Sequence, residues 1–262
     1  MIFPNVATQM YCYGLAFVLG AVIGSFLNVC IARIPENKSV ISPPSHCPQC
    51  LMPIRWYQNV PIFSYLLLRG RCAGCGLPIP IRYLLVEAIT GVLFTYVFMR
   101  FGIQWATILC WVFVSLLIAI TFIDLDHQII PDLLSLPGIG IGLTGSILLP
   151  WIPWTDSLLG ILLGGGLLYL VALGYEVLAK REGMGGGDIK LLAMLGAFLG
   201  WQAIFPVVLI SSLLGSLIGI PWMLLKKEDS TFAIPFGPFL AVSALIYLFW
   251  GGMILRWYLG LF

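Results

Sequence analysis

The stretch 115–132, S-L-L-I-A-I-T-F-I-D-L-D-H-Q-I-I-P-D, decides the kind of fold that this chain can adopt. Nine uncharged residues lead into Asp124, and three more acidic or titratable side chains follow within eight positions. An apolar run that ends in a polar turn predicts a helix that leaves a membrane. A carboxylate at the edge of lipid is costly, so Asp124 calls for a chemical explanation.

A second carboxylate stands at a similar edge. The stretch 183–201 reads G-M-G-G-G-D-I-K-L-L-A-M-L-G-A-F-L-G-W, in which Asp188 follows a glycine loop and precedes a largely apolar run. Two acidic residues at matching depth in a chain with so few charges suggest that they act together.

The composition is that of an integral membrane protein. Of the 262 residues, 60% are hydrophobic and 9% are charged, whereas soluble domains carry about 25% charged residues. We therefore predict an all-α polytopic membrane protein with about eight transmembrane helices. Only Pro206 separates the sixth predicted helix from the seventh. The predicted spans are 11–32, 83–100, 103–123, 133–150, 157–179, 189–204, 206–225 and 235–257.

The basic residues predict the orientation of these spans. Eleven lysines and arginines would fall on one side of the membrane, and Arg100 and Arg256 on the other. This asymmetry predicts that the larger set is cytoplasmic and that both termini face outward. Membrane lipid around these helices is the expected partner. With a net charge of +2 and no polybasic run, no nucleic-acid partner is expected.

Four of the seven cysteines lie in the long polar stretch 34–82, which is predicted to form a small cytoplasmic domain after a first transmembrane helix at 1–33. Cys47 and Cys50 form C-P-Q-C, Cys72 and Cys75 form C-A-G-C, and 21 residues separate the two pairs. Two such turns can present four thiolates to one tetrahedral Zn²⁺. Two disulfides are the alternative, but they rarely persist in the cytoplasm. Four sulfur ligands leave no open position, so the zinc is expected to be structural.

The two aspartates can meet if their helices end on the same side of the membrane. Two adjacent carboxylates share one proton, so that one serves as a base for water and the other as an acid for the leaving amine. Asp188 would feel the positive end of a helix dipole, which favours the ionised form. We therefore lean to Asp188 as the base and Asp124 as the acid.

The glycines before Asp188 fit this hypothesis. Gly185, Gly186 and Gly187 are predicted to form a substrate loop, in which Gly185 and Gly187 allow positive φ and the close approach of an extended chain. Residue types alone leave structural alternatives open. An aspartate at a helix start is often only an N-cap, as expected for Asp132, and Asp124 could pair with Lys190.

Four segments, taken together, resemble the bacterial type IV prepilin peptidases, also called leader peptidases and N-methyltransferases. G-S-F-L-N-V at 24–29, followed by Arg33 and Pro35, resembles the first-helix motif of that family. S-H-C-P-Q-C and R-G-R-C-A-G-C resemble its tetracysteine domain. F-I-D-L-D-H-Q-I-I-P-D and G-M-G-G-G-D-I-K resemble its two catalytic segments, the second of them the GxGD motif.

The resemblance implies an intramembrane aspartic endopeptidase in the bacterial inner membrane, with residues 83–262 as the peptidase core and Asp124 and Asp188 as the catalytic pair. Its substrates would be prepilins and pseudopilins, which are cut on the cytoplasmic side after a glycine. The resemblance also implies methylation of the new N-terminal amine with S-adenosylmethionine. Asn28 and Arg33 are predicted to serve methyl transfer or to position the cysteine domain.

Two other classes of protein compete with this hypothesis. An ion-coupled transporter would use intramembrane aspartates, but it predicts acids near the bilayer midplane and inverted repeats. An assembly factor anchored by its zinc domain would need no catalysis, but it leaves the glycine loop unexplained.

Overall fold

The computed structural model describes residues 5–47, 49–179, 185–226 and 235–259. Throughout this part of the chain, the regular elements are helices. Two isolated β-bridges, His46 with Pro53 and Arg71 with Pro78, lie in the polar stretch 34–82. The predicted all-α class is therefore confirmed for the described residues. Contacts divide the chain into two compact units, residues 1–119 and residues 120–262.

The helices follow one another closely. In chain order they are α1 (Val6–Arg33), α2 (Phe63–Leu67), α3 (Ile81–Phe101), α4 (Trp105–His127), α5 (Asp132–Leu148), α6 (Trp154–Ala179), α7 (Gly186–Leu199), α8 (Ile204–Lys226) and α9 (Gly237–Leu259).

In the first unit, α1 packs along α3. Glycines allow this close approach, because a β-carbon built at Gly20 would lie 2.7 Å from the Thr90 carbonyl oxygen. The helix α1 begins earlier than predicted, since Asn5 caps it by accepting a hydrogen bond of 2.9 Å from the N–H of Thr8. Residues 34–80 connect the two helices and contain α2.

In the second unit, α7 is the central helix and contacts α5, α6 and α9. Its residues 191–199 are all buried, as expected for a helix that is apolar on every side. A β-carbon at Gly164 of α6 would lie 2.5 Å from the Leu192 carbonyl oxygen, so α6 and α7 touch backbone to backbone. This packing fixes the position of α7, and therefore of Asp188 in its N-terminal turn.

The eight predicted spans correspond to α1 and to α3 through α9. Six of these described helices are long and apolar enough to cross a bilayer. The other two are shorter: α5 has 17 residues and α7 has 14, which makes α7 about 21 Å long. The helix α4 continues to His127, so Asp124 lies inside its last turn rather than just after it.

The boundary between the sixth and seventh spans is not at Pro206. The break occurs at Gly200, whose φ of 82° ends α7, and a 3₁₀ turn at Trp201–Ala203 follows it. Pro206 lies in the first turn of α8, where proline is tolerated because the N–H groups there have no partner within the helix. The predicted connections at 180–188 and 226–231 lie largely outside the described residues.

Candidate active site

Asp124 carries a buried carboxylate at the end of α4. The residue is 5% exposed. Its Oδ2 accepts a hydrogen bond of 3.0 Å from the backbone N–H of Gly237, the first residue of α9. A backbone donor at a helix start stabilises a negative charge on this oxygen, since the helix dipole adds to the hydrogen bond.

Asp188 lies in the first turn of α7, just before the predicted span 189–204. It is half-buried, and its backbone N–H donates to the Gly185 carbonyl at 3.2 Å. The predicted position of Asp188 at a helix start is therefore confirmed. The buried body of α7 supports the backbone that carries this carboxylate.

Two observations place the aspartates near each other. A β-carbon built at Gly187 would lie 2.9 Å from Ile130 Cβ, and one built at Gly237 would lie 3.4 Å from Ile130 Cδ1, so one isoleucine side chain touches the neighbours of both acids. In addition, burial raises the pKa of Asp188 to about 6, and the negative charge of Asp124 contributes to this rise. The two carboxylates thus interact electrostatically.

The glycine loop differs from its prediction in one respect. Gly185 has a φ of −67°, and Gly186 and Gly187 are the first helical residues, so neither Gly185 nor Gly187 needs positive φ. The glycines provide space instead: among the described residues, nothing lies within 4 Å of a β-carbon built at Gly185 or Gly186, whereas Gly187 packs closely against Ile130. Residues 183–184 of the predicted loop lie outside the described residues.

Lys190 pairs with Asp132 and not with Asp124. Its Nζ lies 2.7 Å and 2.8 Å from the two carboxylate oxygens of Asp132. Asp132 is the first residue of α5, after Pro131 at the N-cap position, so its carboxylate forms an ion pair instead of capping the helix. The pair connects the starts of α5 and α7, and the alternative pairing of Asp124 with Lys190 is wrong.

Gly237 is the residue of this site that sequence reasoning missed. A β-carbon at this position would lie 2.6 Å from Asp124 Oδ2, so only glycine fits here without a shift. The sequence carried one signal, the P-F-G-P stretch at 235–238. A glycine between two prolines before an apolar run is a plausible point of close backbone approach.

The first unit holds the predicted cysteine cluster. The sulfurs of Cys47, Cys50, Cys72 and Cys75 all lie within 4.8 Å of one another. The Cys47–Cys75 and Cys50–Cys72 Sγ distances are both 3.9 Å, close to the ~3.8 Å that four Zn–S bonds of about 2.3 Å require in a tetrahedron. The cysteines could hold a metal ion, and the disulfides of the alternative interpretation are not formed.

The two cysteine turns have the same backbone structure. The N–H of Cys47 donates to the Met52 carbonyl at 3.0 Å, and the N–H of Cys72 donates to the Leu77 carbonyl at 2.8 Å. Backbone N–H groups of Cys75 and Gly74 lower the pKa of the Cys72 thiol to about 6. The thiolate is the form of cysteine that binds a metal, and Cys72 reaches it at lower pH than Cys75, whose pKa is about 11.

The two residues predicted from the first-helix motif have different surroundings. Arg33 donates to the carbonyls of Ser39 at 2.9 Å and Pro43 at 2.8 Å, contacts that fit a role in positioning residues 34–82. Asn28 is buried and donates through Nδ2 to the Tyr83 carbonyl at 3.1 Å. It therefore lies between α1 and α3.

The second unit thus combines a buried carboxylate that accepts a backbone N–H, a second carboxylate that keeps its proton to higher pH, and open space beside two glycines. One proton shared between two such groups allows general acid and general base catalysis at the same bond. Hydrolysis of an amide is the reaction for which this arrangement is suited.

Comparisons with known proteins agree with the sequence motifs. Residues 18–101 match the Bacterial Peptidase A24 N-terminal domain, and residues 111–220 match the Type IV leader peptidase family. Proteins named prepilin leader peptidase/N-methyltransferase are similar over most of the chain. The protein from Aeromonas hydrophila is 41% identical, with 94% of this chain and 93% of the relative covered.

Two further relatives carry the same name. The protein from Neisseria gonorrhoeae is 40% identical, with 88% of each chain covered, and that from Pseudomonas putida is 36% identical, with 92% of this chain and 91% of the relative covered. None of the solved structures matches this chain significantly. The comparisons favour neither a transporter nor an assembly factor.

Proposed function

Because the chain belongs to the type IV leader peptidase family, we propose that it is an aspartic endopeptidase of the bacterial inner membrane that removes the leader from prepilins and pseudopilins. The observation that carries this function is the buried Asp124 carboxylate, whose charge acts on Asp188 at the start of α7. Peptide hydrolysis uses such a pair without a metal or a covalent intermediate.

The contacts of the two acids support a division of roles opposite to the one expected from the helix dipole alone. Asp124, which receives the Gly237 N–H, is the base that takes a proton from the attacking water. Asp188, which keeps its proton more easily, is the acid that protonates the leaving amine. The water oxygen bonds to the scissile carbonyl carbon, the C–N bond breaks, and the pair ends the cycle with one proton.

Substrate access follows from the proposed orientation. With the basic side of the chain in the cytoplasm and both termini outside, both aspartates face the cytoplasmic surface, where a basic leader would be presented. The open surroundings of Gly185 and Gly186 leave room for an extended backbone beside Asp188. Residues 1–33 form the first membrane helix, 34–82 the cysteine domain and 83–262 the peptidase core.

The metal of the cysteine domain is proposed to be Zn²⁺. The four sulfurs have the spacing of a tetrahedral site, and a set of four thiolates selects zinc or iron over harder cations. With every ligand position filled by protein, the ion would supply folding energy to residues 34–82 and take no part in peptide hydrolysis.

The second proposed activity is N-methylation of the new N-terminal amine, as the names of the relatives indicate for those proteins. The methyl donor would be S-adenosylmethionine, bound as a co-substrate. The amine nitrogen takes the methyl group, and the sulfur of the donor keeps the electron pair of the broken C–S bond.

Single replacements of the two acids test the peptidase. Asp124→Asn and Asp188→Asn should each abolish cleavage of a purified prepilin, while Asp156→Asn, in the first turn of α6, should cleave normally. All three chains should purify with the same metal content. Full processing by either of the first two variants would overturn the assignment.

A further inference from the structure

A polar cluster lies within the close-packed interface of α1 and α3, and the peptidase does not use it. Two glycines of α1 allow the approach, and a β-carbon at Gly24 would lie 2.8 Å from Glu87 Cα. Among the described residues, Glu87 and Asp124 are the buried acids, with Glu87 8% exposed. A buried carboxylate that no known step accounts for needs an explanation.

Asn28 is the second member of the cluster. It is 3% exposed, and the bond from its Nδ2 to the Tyr83 carbonyl fixes which way the amide points. Its Oδ1 is buried and has no hydrogen-bond partner in the described structure. An unpartnered buried acceptor is rare, and a missing ligand or water is a standard cause.

The two side chains lie one helical turn apart. Tyr83 precedes Glu87 by four residues on α3, and Gly24 precedes Asn28 by four residues on α1. Because Gly24 touches the backbone of Glu87 and Asn28 touches the carbonyl of Tyr83, the amide of Asn28 is adjacent to the turn that carries the carboxylate.

A hydrogen bond holds the Glu87 carboxylate in place. Its Oε2 accepts the backbone N–H of Ile62 at 2.8 Å. Ile62 adopts φ 65° and ψ −53°, and the N–H of Phe63 reaches back to the Pro61 carbonyl at 2.6 Å. This is a strained γ-turn for a β-branched residue, and it aims the Ile62 N–H at Glu87.

We propose that Glu87 and Asn28 bind the primary amine that is methylated, an inference that rests on the proposed methyltransferase activity. A carboxylate and an amide oxygen are both acceptors, and an ammonium group is a donor with three N–H bonds and a positive charge. The sulfonium centre of the methyl donor has no N–H, but the donor also carries an α-ammonium group of its own. The cluster therefore fits a primary ammonium group, and separate KM values for the peptide and the donor decide which of the two it binds.

Glu87 would prepare the amine for reaction. An α-amino group has a pKa near 8 and is mostly protonated at neutral pH, so it lacks the free electron pair that attacks a methyl group. The ammonium transfers one proton to the Glu87 carboxylate. The neutral nitrogen then bonds to the methyl carbon, the C–S bond of the donor breaks, and Glu87 returns its proton to water.

Replacing Glu87 with glutamine distinguishes this role from a merely structural one. Glu87→Gln keeps an oxygen that accepts the Ile62 N–H, but it has no charge and cannot take a proton. Asn28→Leu removes the unpaired acceptor and keeps the volume of the side chain. Thr90→Val is the matched control, because Thr90 is fully buried in the same interface and its hydroxyl donates to the Val86 carbonyl of its own helix.

The test uses the purified full-length chain, S-adenosylmethionine and a synthetic peptide with a free N-terminal amine, with methyl transfer measured by mass spectrometry. Glu87→Gln should lower kcat/KM for the peptide about 100-fold near pH 7. Asn28→Leu should raise the KM for the peptide and leave the KM for the methyl donor unchanged. Prepilin cleavage by both variants, and every activity of Thr90→Val, should equal wild type.

Alkaline pH provides a readout that a structural role would not change. Near pH 9 the free amine forms without a base, so the deficit of Glu87→Gln should shrink by about tenfold. Methylation by Glu87→Gln at the wild-type rate, a parallel loss of cleavage, or a changed KM for the methyl donor alone would each overturn this site. A wild-type chain that cleaves but never methylates would overturn the methyltransferase function, and this site with it.

Discussion

The backbone N–H of Gly237 donates to Oδ2 of Asp124 at 3.0 Å, across 113 positions of sequence. This contact brings the start of α9 to the end of α4 and holds the buried acid in one orientation. It also distinguishes the two aspartates chemically. A hydrogen bond to Asp124 stabilises its anion, whereas the charge of Asp124 helps Asp188 to keep a proton.

Gly237→Ala should abolish most peptidase activity without unfolding the protein. The new methyl group would lie 2.6 Å from Asp124 Oδ2, so the carboxylate must move and its bond to the N–H must lengthen. A displacement of this size at a catalytic group costs about 100-fold in rate, which a prepilin cleavage assay would measure as kcat.

Gly252→Ala, on the same helix, is the control for this substitution, because a β-carbon there meets nothing within 4 Å. It should cleave like wild type. Equal activity of Gly237→Ala and Gly252→Ala would show that the orientation of Asp124 does not depend on the glycine.

On the alkaline side of its pH profile, cleavage should begin to decline at an unusually low pH. Asp188 must hold the proton of the pair, and its pKa is about 6 against an ordinary value of 3.8. As the pH rises through about 6, Asp188 loses this proton and both carboxylates are charged. The value of kcat/KM should then fall, by up to about tenfold per pH unit. The apparent pKa of this decline belongs to the pair, since the two acids are coupled.

Asp156→Asn should show the same profile as wild type, which would exclude a general effect of pH on the protein. The measurement needs a substrate without groups that titrate between about pH 5 and pH 8. A value of kcat/KM that stays constant or increases across this range would contradict the assignment of Asp188 as the acid.

Removing two zinc ligands should release the metal and unfold residues 34–82. The double variant Cys47→Ser, Cys72→Ser takes one thiolate from each turn, and a structural zinc site of this kind is coupled to folding. Metal analysis should find no zinc, and limited proteolysis should cut within residues 34–82. Cys12→Ser, outside the cluster, should keep its zinc, and unchanged metal content in the double variant would disprove the site.

The two cysteine turns predict opposite effects at equivalent positions. Leu51 and Gly76 follow the second cysteine of each turn with φ of 57° and 72°, a conformation that costs a side chain roughly 1–2 kcal/mol. Gly76→Ala should therefore lower the free energy of unfolding by about 1 kcal/mol, since a β-carbon there meets nothing within 4 Å.

Leu51→Gly should have no such cost and is expected to stabilise the turn slightly, because Leu51 is 70% exposed and little packing is lost. Chelator-driven zinc release, followed for both variants against wild type, measures the difference. If both substitutions shift zinc release in the same direction, the φ angles at these two positions do not determine the stability of the turns.

Some features of the fold could be predicted from local sequence, and their limits are visible in single residues. The spans follow from runs of apolar residues, and each predicted span corresponds to one helix. The junction between the sixth and seventh was placed at Pro206 rather than Gly200, because a proline tolerated in the first turn of α8 resembles a helix breaker. The glycines at 185–187 were recognised, but their role is space and not positive φ.

The sequence by itself determined the helical membrane class, the set of four clustered cysteines and the positions of the two acids at helix ends, since these depend on composition and on spacing within short segments. The tertiary structure alone decided which groups meet these residues. Lys190 forms an ion pair with Asp132, 58 positions away, and Gly237 donates a hydrogen bond to Asp124. Asn28 has a buried oxygen with no hydrogen-bond donor in the described structure. Helix packing sets such distances, and no local pattern of residues encodes them.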